Sequence, residues 1–127
     1  MDIFANAVVR VVNNRIEVSP DPILVTRPGV AKITWTLDAS AVAAGFRFAD
    51  VNRGIKIERG SRIERDARGG PPKAVDAATE FEQPNSLGTQ FMLVFRNSRP
   101  GRHEYKYSIT LEGPTTLTID PMIVNDW

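Results

Sequence analysis

The sequence predicts an all-β Greek-key sandwich in a single domain that covers residues 1–127, with at most short helices. Three observations lead to this fold class. Apolar and polar residues alternate with the period of a strand in several segments, and turn-forming pairs separate those segments. A length of 127 residues suits one core, and 42% hydrophobic with 24% charged residues is ordinary for a folded domain.

The strand pattern is clearest in segment 105–111, YKYSITL, where both tyrosines, the isoleucine and the leucine fall on one face. Segment 32–38, KITWTLD, repeats the alternation. The apolar run 91–95, FMLVF, predicts a strand that is covered on both sides or packed beneath a loop. Segments 21–25, DPILV, and 120–124, DPMIV, predict two strands that start alike, because proline is tolerated where a strand begins.

Two segments, 38–45 and 72–81, are the helical candidates, and each is too short to hold a helix without tertiary support. We predict that residues from about 49 to 80 form a long charged insertion. Between residues 47 and 73 there are eight basic and four acidic side chains. Four arginines recur there at intervals of three residues, Arg59, Arg62, Arg65 and Arg68. Glycines and prolines in the same stretch disfavour a long regular element, so we expect a loop on the sandwich.

Composition limits the chemistry available to the chain. No cysteine occurs, which excludes disulfides, thiolate nucleophiles, iron–sulfur clusters and cysteine-based zinc sites. Sixteen basic and fifteen acidic side chains give a net charge of +1, so we expect no global polyanion-binding surface. The N-terminal residues contain no apolar run long enough for a signal peptide or a membrane span. We therefore expect a cytoplasmic protein without membrane contact.

Both ends of the chain resemble the cupredoxins, the blue-copper β-sandwich family. In residues 16–38, IEVSPDPILVTRPGVAKITWTLD, an apolar strand, a proline, a second strand, a glycine turn and a tryptophan-bearing strand follow in that family's order. Residues 99–111, RPGRHEYKYSITL, resemble the family's penultimate strand, which usually begins Pro-Gly-x-Tyr-x-(Phe/Tyr)-x-Cys. The resemblance implies a cupredoxin-like sandwich. It covers both ends of the chain and does not extend over roughly residues 49–88.

The copper ligands of that family are missing from this sequence. Blue copper needs two histidines, one cysteine and a weak axial ligand. Alignment on Pro100-Gly101 puts Tyr107 at the cysteine position and His103, the one histidine of the chain, at a position that is not a ligand. We therefore expect a protein without metal or cofactor, in which His103 is a partly buried strand residue with one hydrogen-bonded nitrogen.

Catalytic patterns are weak. A Ser-His-Asp arrangement through His103 stays open, but the sequence has no Gly-x-Ser-x-Gly motif. Residues 54–70 lack the Gly-Lys-Ser/Thr ending of a phosphate-binding loop. Nucleic acid is not an expected partner, because segment 49–80 has no aromatic residue for base stacking. We predict that the chain is not an enzyme and find no evident small-molecule substrate.

These observations predict a non-catalytic, metal-free binding or assembly module that presents a surface to a protein partner or to itself. Guanidinium groups pair well with carboxylates and phosphates. The first candidate surface is therefore formed by the arginines of the insertion, Arg53, Arg59, Arg62, Arg65 and Arg68. The competing interpretation is a solvated loop whose own acids neutralise these arginines.

The second candidate residue is Trp127, at the C-terminus of the sequence. It is either a cap over the core or an anchor for another chain. Three alternatives to the binding module remain: a small enzyme that uses His103, a weak polyanion binder that uses the arginines of the insertion, and a cryptic metal protein.

Overall fold

The chain forms two β-sheets that pack face to face. A computed structural model describes residues 3–58, 62–64, 73–75 and 80–127. Within these residues it contains thirteen strands and one short helix. In chain order they are β1 (Ile3–Val12), β2 (Arg15–Ser19), β3 (Ile23–Val25), β4 (Ala31–Leu37), α1 (Ala39–Ala43), β5 (Arg47–Phe48), β6 (Ile55–Ile57), β7 (Arg62–Glu64), β8 (Lys73–Val75), β9 (Phe81–Ser86), β10 (Gln90–Phe95), β11 (Arg102–Glu112), β12 (Leu117–Ile119) and β13 (Met122–Asp126).

The first sheet has the strand order β2-β1-β4-β10-β9. Strand β1 is antiparallel to β2 but parallel to β4, and β10 is antiparallel to both β4 and β9. Because a hairpin cannot join parallel neighbours, the chain leaves this sheet after β2, forms β3 in the other sheet and returns as β4. Cis peptide bonds precede Pro20 and Pro22 at the crossing.

The second sheet is organised around the long strand β11. One side of β11 pairs with β12 and β13, and β13 pairs in parallel with β3. The other side pairs with β5, β6 and β7, and β7 pairs with β8. The two segments that begin Asp-Pro, 21–25 and 120–124, therefore supply adjacent parallel strands. This confirms that both segments form strands and adds that they are neighbours.

The core lies between the sheets and is built from the side chains that point inward from the alternating strands. Trp35 of β4 and both Tyr105 and Tyr107 of β11 are fully buried. Ring contacts join the sheets: the centroids of Phe95 and Tyr105 lie 5.2 Å apart, and those of Trp35 and Tyr107 lie 5.4 Å apart. Burial of such large apolar rings is the main stabilising term for a fold of this kind. The prediction of an all-β sandwich is confirmed.

Strand β10 follows the same alternation more loosely. Phe91, Leu93 and Phe95 are buried, whereas Met92 and Val94 on the outer face are half-buried. The prediction of a strand in the run 91–95 is confirmed. Its outer face is only partly covered, because Met92 and Val94 keep part of their surface in solvent.

One of the two predicted helices is present. Helix α1 begins after Asp38, whose Oδ1 accepts a hydrogen bond from the Ala41 amide at 2.9 Å, a side-chain cap that replaces a missing helical partner. The second predicted helix, 72–81, is wrong, because Lys73–Val75 forms β8 and β9 begins at Phe81. Pairing with β7 decides the conformation of β8, and such tertiary pairing overrides weak helix propensity.

The predicted insertion of about residues 49–80 contributes to the second sheet wherever the structure describes it. Strands β6, β7 and β8 fall within this segment, and Ile55 is buried against the core. The expectation of a loop outside the sandwich is therefore wrong for these strands. Backbone pairing with β11 explains the difference, since β6 and β7 complete hydrogen bonds along the side of β11 that faces away from β13.

Candidate binding surface

Most of the arginines that were predicted to form a contact surface lie outside the described residues. Arg59, Arg65 and Arg68 fall there, and Arg62 lies in strand β7. The structure therefore gives a side-chain geometry for Arg53 alone among them, and it does not bring Arg53 together with Trp127.

Arg53 closes a turn between β5 and β6. Its amide and that of Gly54 donate to the carbonyl of Asp50, at 3.0 Å and 2.7 Å. The guanidinium lies 3.3 Å from Asp50 Oδ2 and also donates to Glu112, and these two carboxylates raise the pKa of Arg53. The side chain stays 57% exposed. The positive charge is thus compensated locally, which weakens Arg53 as a contact for an acidic partner.

Trp127 is half-buried and fixed at one end of the sandwich. Its indole Nε1 donates to Asn97 Oδ1 at 2.8 Å, and its carbonyl accepts from the Gly101 amide at 2.8 Å. The Asn97 amide in turn donates to the carbonyls of Arg27 and Gly29, at 2.8 Å and 2.9 Å. This network ties the β3–β4 and β10–β11 connections to the C-terminal residue, which favours the cap interpretation of Trp127 over the anchor.

His103 lies on the inward phase of β11 and is 5% exposed, more buried than the sequence indicated. Its Nδ1 lies 3.4 Å from Nδ2 of Asn125, an amide that also donates to the carbonyls of Arg99 and Gly101. A substrate could reach the imidazole only if this end of the sandwich opened, so the geometry favours a structural histidine. Within the described ranges, no group of three His, Asp or Glu side chains is placed to hold a metal ion.

Tyr107, at the position where the cupredoxin resemblance puts the copper thiolate, has a structural use. Its hydroxyl accepts a hydrogen bond of 3.0 Å from Trp35 Nε1 across the core. Burial raises the pKa of Tyr107 well above its usual range, and the Trp35 hydrogen bond offsets only part of this shift. The phenol is therefore neutral at ordinary pH and links the two sheets.

A surface that the sequence did not reveal lies on the outer face of the first sheet. Here an open cavity of about 500 Å³, named the Phe4 groove, is lined by Phe4, Lys32, Thr34, residues 83–85, Met92 and Val94. Phe4 stands 70% exposed at its rim. The Lys32 ammonium lies 5.9 Å from the centre of the Phe4 ring, within cation–π range. Of the described residues that line the groove, Lys32 alone is charged.

The register of the strands places these side chains on one face. Phe4 is opposite Lys32, and Lys32 is opposite Val94. The next row brings Thr34 opposite Met92. The sides of the groove are therefore β1 and β9, and its floor is formed by β4 and β10.

A β-bulge shapes the far wall of the groove. Between the pairs Met92–Asn85 and Val94–Glu82, the single residue Leu93 faces two residues of β9. One of these, Gln83, has a φ of 54°, and the other, Pro84, has no amide hydrogen. The bulge bends the edge strand at the place where the groove lies.

One signal in the sequence could have indicated this surface. In β1 the side chains that face the core are apolar, as expected. The face that points to solvent also carries three apolar side chains, Phe4, Val8 and Val12, and all three are exposed. Apolar residues on both phases predict a strand that is covered on both faces. Since β1 is covered on one face only, the surplus apolar residues mark an exposed patch.

Comparison with known proteins finds no family model that matches the chain and no matching curated protein. In the part of the chain that the structure describes, no helix is long and apolar enough to cross a membrane. A functional assignment therefore depends on the geometry of the surfaces described above.

Proposed function

We propose that this chain is a non-catalytic, metal-free, cupredoxin-like Greek-key module that acts in the cytoplasm and binds a protein partner on the outer face of its first sheet. The observation that carries the proposal is the Phe4 groove, where an aromatic side chain is 70% exposed beside a cavity of about 500 Å³. Exposed aromatic residues next to a depression are typical of interface hot spots.

The chain path supports the cupredoxin-like part of this proposal. Strand β2, the two prolines, β3, a turn at Gly29 and the Trp35 strand β4 follow one another as the resemblance implies. The hydrogen bond from Trp35 to Tyr107 gives the cysteine position of that family a use in holding the sheets together.

The burial of His103 supports the non-catalytic part. At 5% exposure, with its ring packed 6.5 Å from that of Tyr105, the imidazole belongs to the end of the core. General acid–base catalysis requires a side chain within hydrogen-bond reach of the substrate, and the native packing around His103 leaves no such access.

The groove is a better interface candidate than Arg53 for an electrostatic reason. Arg53 already contacts Asp50 and Glu112. An exposed ion pair with a partner would have to replace these contacts, so its net contribution would be small. Phe4, in contrast, gains burial on binding, and removal of apolar surface from water is favourable by about 25 cal/mol per Å².

The test is a pull-down from native extract with three variants beside the wild type. Phe4→Ser removes the aromatic rim, and Leu87→Ser is the matched control, because Leu87 is 60% exposed but lies outside the groove. A third variant replaces Arg59, Arg62, Arg65 and Arg68 by glutamate. We expect a partner that the wild type, Leu87→Ser and the arginine variant all capture and that Phe4→Ser loses.

Two other results would overturn the proposal. Loss of the partner only in the arginine variant would assign recognition to the 49–80 segment. Sedimentation velocity provides the other check: if the purified chain dimerises and Phe4→Ser returns it to a monomer, the face serves self-association and not a separate partner.

A further inference from the structure

On the basis of the proposed function, we infer how the partner is held: an extended segment of it adds as a strand to the free edge of β1, beside Phe4. The segment pairs with the backbone of Phe4 and Asn6 and places an apolar side chain between β1 and β3. It also carries a carboxylate where Arg27 lies. The unpaired backbone groups, the cleft next to them and its charge lead to this assignment.

Backbone hydrogen bonds fix which groups of β1 point to its open edge. The Ile3 amide donates to the Val30 carbonyl at 3.0 Å. The Val9 carbonyl accepts from the Asp38 amide at 2.9 Å, and both bonds lie on the side of β4. Since the N–H and C=O groups of successive strand residues point to opposite sides, the odd-numbered residues of 3–9 face β4 and the even-numbered ones face away from it.

Strand β2 covers only part of that other side. It pairs with residues 8–12 and ends at Ser19, opposite Val8. The chain then crosses to the second sheet and continues there as β3. The N–H and C=O groups of Phe4 and Asn6 therefore have no hydrogen-bond partner in the described part of the chain. Unpaired groups on a sheet edge are a template for another strand.

A cleft runs along this free edge. Its volume is about 260 Å³, and it is lined by residues 3–6, Pro20 and residues 23–27, so it separates β1 of the first sheet from β3 of the second. Phe4 is 70% exposed and Leu24 is 57% exposed, and both line the cleft. An added strand would remove apolar surface of both side chains from water, which is favourable.

The free groups suit an antiparallel strand in line with β2. Residues directly opposite each other in such a pair can exchange two hydrogen bonds. A segment with one residue opposite Asn6, and another two positions later opposite Phe4, completes four bonds. The residue between them lies opposite Ala5 and shares the core face of β1. It should be apolar, because it enters the cleft beside the buried Ile23 and Val25.

Charge sets the direction of the partner's sequence. Of the described residues that line the cleft, Arg27 alone is charged. Its side chain is exposed and forms no ion pair with a described carboxylate. Arg27 lies toward the Ile3 end of β1, since it precedes Val30, the acceptor of the Ile3 amide, by three residues. An antiparallel segment reaches this end last, so its carboxylate follows its apolar residue.

A second copy of the chain fits this edge less well than a different protein does. Two β1 strands paired antiparallel about Ala5 would satisfy the same backbone groups. The copy would then present residues 8–10, Val-Val-Arg, at the Arg27 end, where an acidic residue is required. In the copy, Val8 is moreover already paired with Ser19. The charge at the cleft therefore favours a segment of another protein.

The experiment measures binding of fluorescein-labelled peptides to the full chain by fluorescence polarisation. The parent peptide is Gly-Ser-Thr-Val-Leu-Asp-Asp-Gly, in which Thr is to lie opposite Asn6 and Leu opposite Phe4. A matched peptide replaces Asp-Asp by Lys-Lys. Two further peptides carry N-methyl groups, one at Thr and Leu, whose amides point to β1, and one at Val and the first Asp, whose amides point away.

The protein variants test the same contacts from the other side. Asn6→Pro removes a free edge amide without loss of a bond to β4, and Asn6→Thr keeps that amide as the control. Arg27→Glu reverses the charge of the cleft. Its control for net charge is Lys56→Glu, at an exposed lysine of β6 in the other sheet. Phe4→Ser removes the side chain that the cleft shares with the Phe4 groove. Urea unfolding checks that each variant is folded.

We expect the wild type to bind the parent peptide more tightly than the lysine peptide. Methylation at Thr and Leu should weaken binding by about tenfold or more, because two hydrogen bonds are lost, and methylation at Val and Asp should change it little. Asn6→Pro should weaken binding by about fivefold or more, unlike Asn6→Thr. Arg27→Glu should reverse the preference between the two peptides, and Lys56→Glu should not.

The failures are distinguishable. No binding of the parent peptide, or equal effects of the two methylation patterns, would overturn strand addition. If Phe4→Ser loses the partner captured from extract while Asn6→Pro retains it, the binding face stands and the added strand is wrong. If Phe4→Ser changes neither that capture nor peptide binding, the proposed function is wrong as well. A dimer in sedimentation velocity that Asn6→Pro dissociates would assign the edge to a second copy and overturn the inference.

Discussion

Replacement of Tyr107 by phenylalanine tests how the two sheets are joined. The change removes one oxygen atom and keeps the ring, which packs 5.4 Å from Trp35 between ring centres. What is lost is the hydrogen bond of 3.0 Å that the Trp35 indole donates to the phenol. The indole N–H then has no protein acceptor at that position.

The expected cost follows from burial. Both Trp35 and Tyr107 are 0% exposed, so water cannot replace the lost acceptor. A buried donor left without a partner costs about 1–3 kcal/mol, and we expect about 2 kcal/mol here. An unfolding entropy of about 2.1 cal/mol/K per residue gives about 0.27 kcal/mol/K for a chain of 127 residues. The melting temperature should therefore fall by about 7 °C.

Urea unfolding followed by tryptophan fluorescence and circular dichroism measures the change. We expect a lower midpoint with an unchanged slope, since the surface exposed on unfolding is nearly the same. Trp35→Phe provides the matched background. With the donor removed, Tyr107→Phe should cost much less, and the double-mutant cycle should give a coupling energy of about 1–2 kcal/mol.

An additive cycle would refute the reasoning. If Tyr107→Phe costs the same with and without the Trp35 indole, the hydrogen bond contributes nothing to stability and the hydroxyl acts only through packing. A midpoint equal to that of the wild type would mean that the core rearranges to give the indole another acceptor.

Three further predictions concern the same core and its ends. Burial raises the pKa of Tyr107, so the folded chain keeps a phenolic proton that the unfolded chain releases above about pH 10. The free energy of unfolding should not depend on this group below that pH and should fall above it by up to about 1.4 kcal/mol per pH unit. Urea titrations of Tyr107→Phe should lack this loss. Gly54→Ala would place a Cβ 2.6 Å from the carbonyl oxygen of Ala49 and should cost about 1–3 kcal/mol in the same assay; no loss would mean that this turn can move. Asn97→Gly preserves a backbone at φ 53° but removes three hydrogen bonds, including the one that Trp127 donates. We expect the free energy of unfolding to fall by about 2–3 kcal/mol and the fluorescence of Trp127 to shift to that of a more solvent-exposed indole. An unchanged spectrum would contradict the cap assignment.

The parts of the fold that the sequence predicts are those in which local pattern and tertiary packing agree. The alternation in 32–38 and 105–111 predicts β4 and β11 because each strand has one face in the core. The helical candidate 38–45 contains α1, and the structure adds that Asp38 caps its first turn locally. The strand at Lys73–Val75 is not predicted, since three residues carry no pattern and only pairing with β7 defines them.

The proposed binding surface is harder to predict because it depends on which strands are neighbours. Nothing local indicates that Lys32 of β4 lies between Phe4 of β1 and Val94 of β10, since these residues are brought together by sheet order. The ion pair from Arg53 to Glu112 likewise joins residues 59 positions apart. The arginine spacing is a local signal, and for that reason it is visible in the sequence whereas the groove is not.

The core and the groove are the two faces of the same strands. Strand β4 places Trp35 inward and presents Lys32 and Thr34 outward, and β10 does the same with Leu93 and Met92. A site on central strands that are fixed by a packed core is held more rigidly than one on loops. Preorganisation of this kind reduces the ordering cost of binding. The protein partner proposed for this face would therefore meet side chains that the sheet beneath them already holds in position.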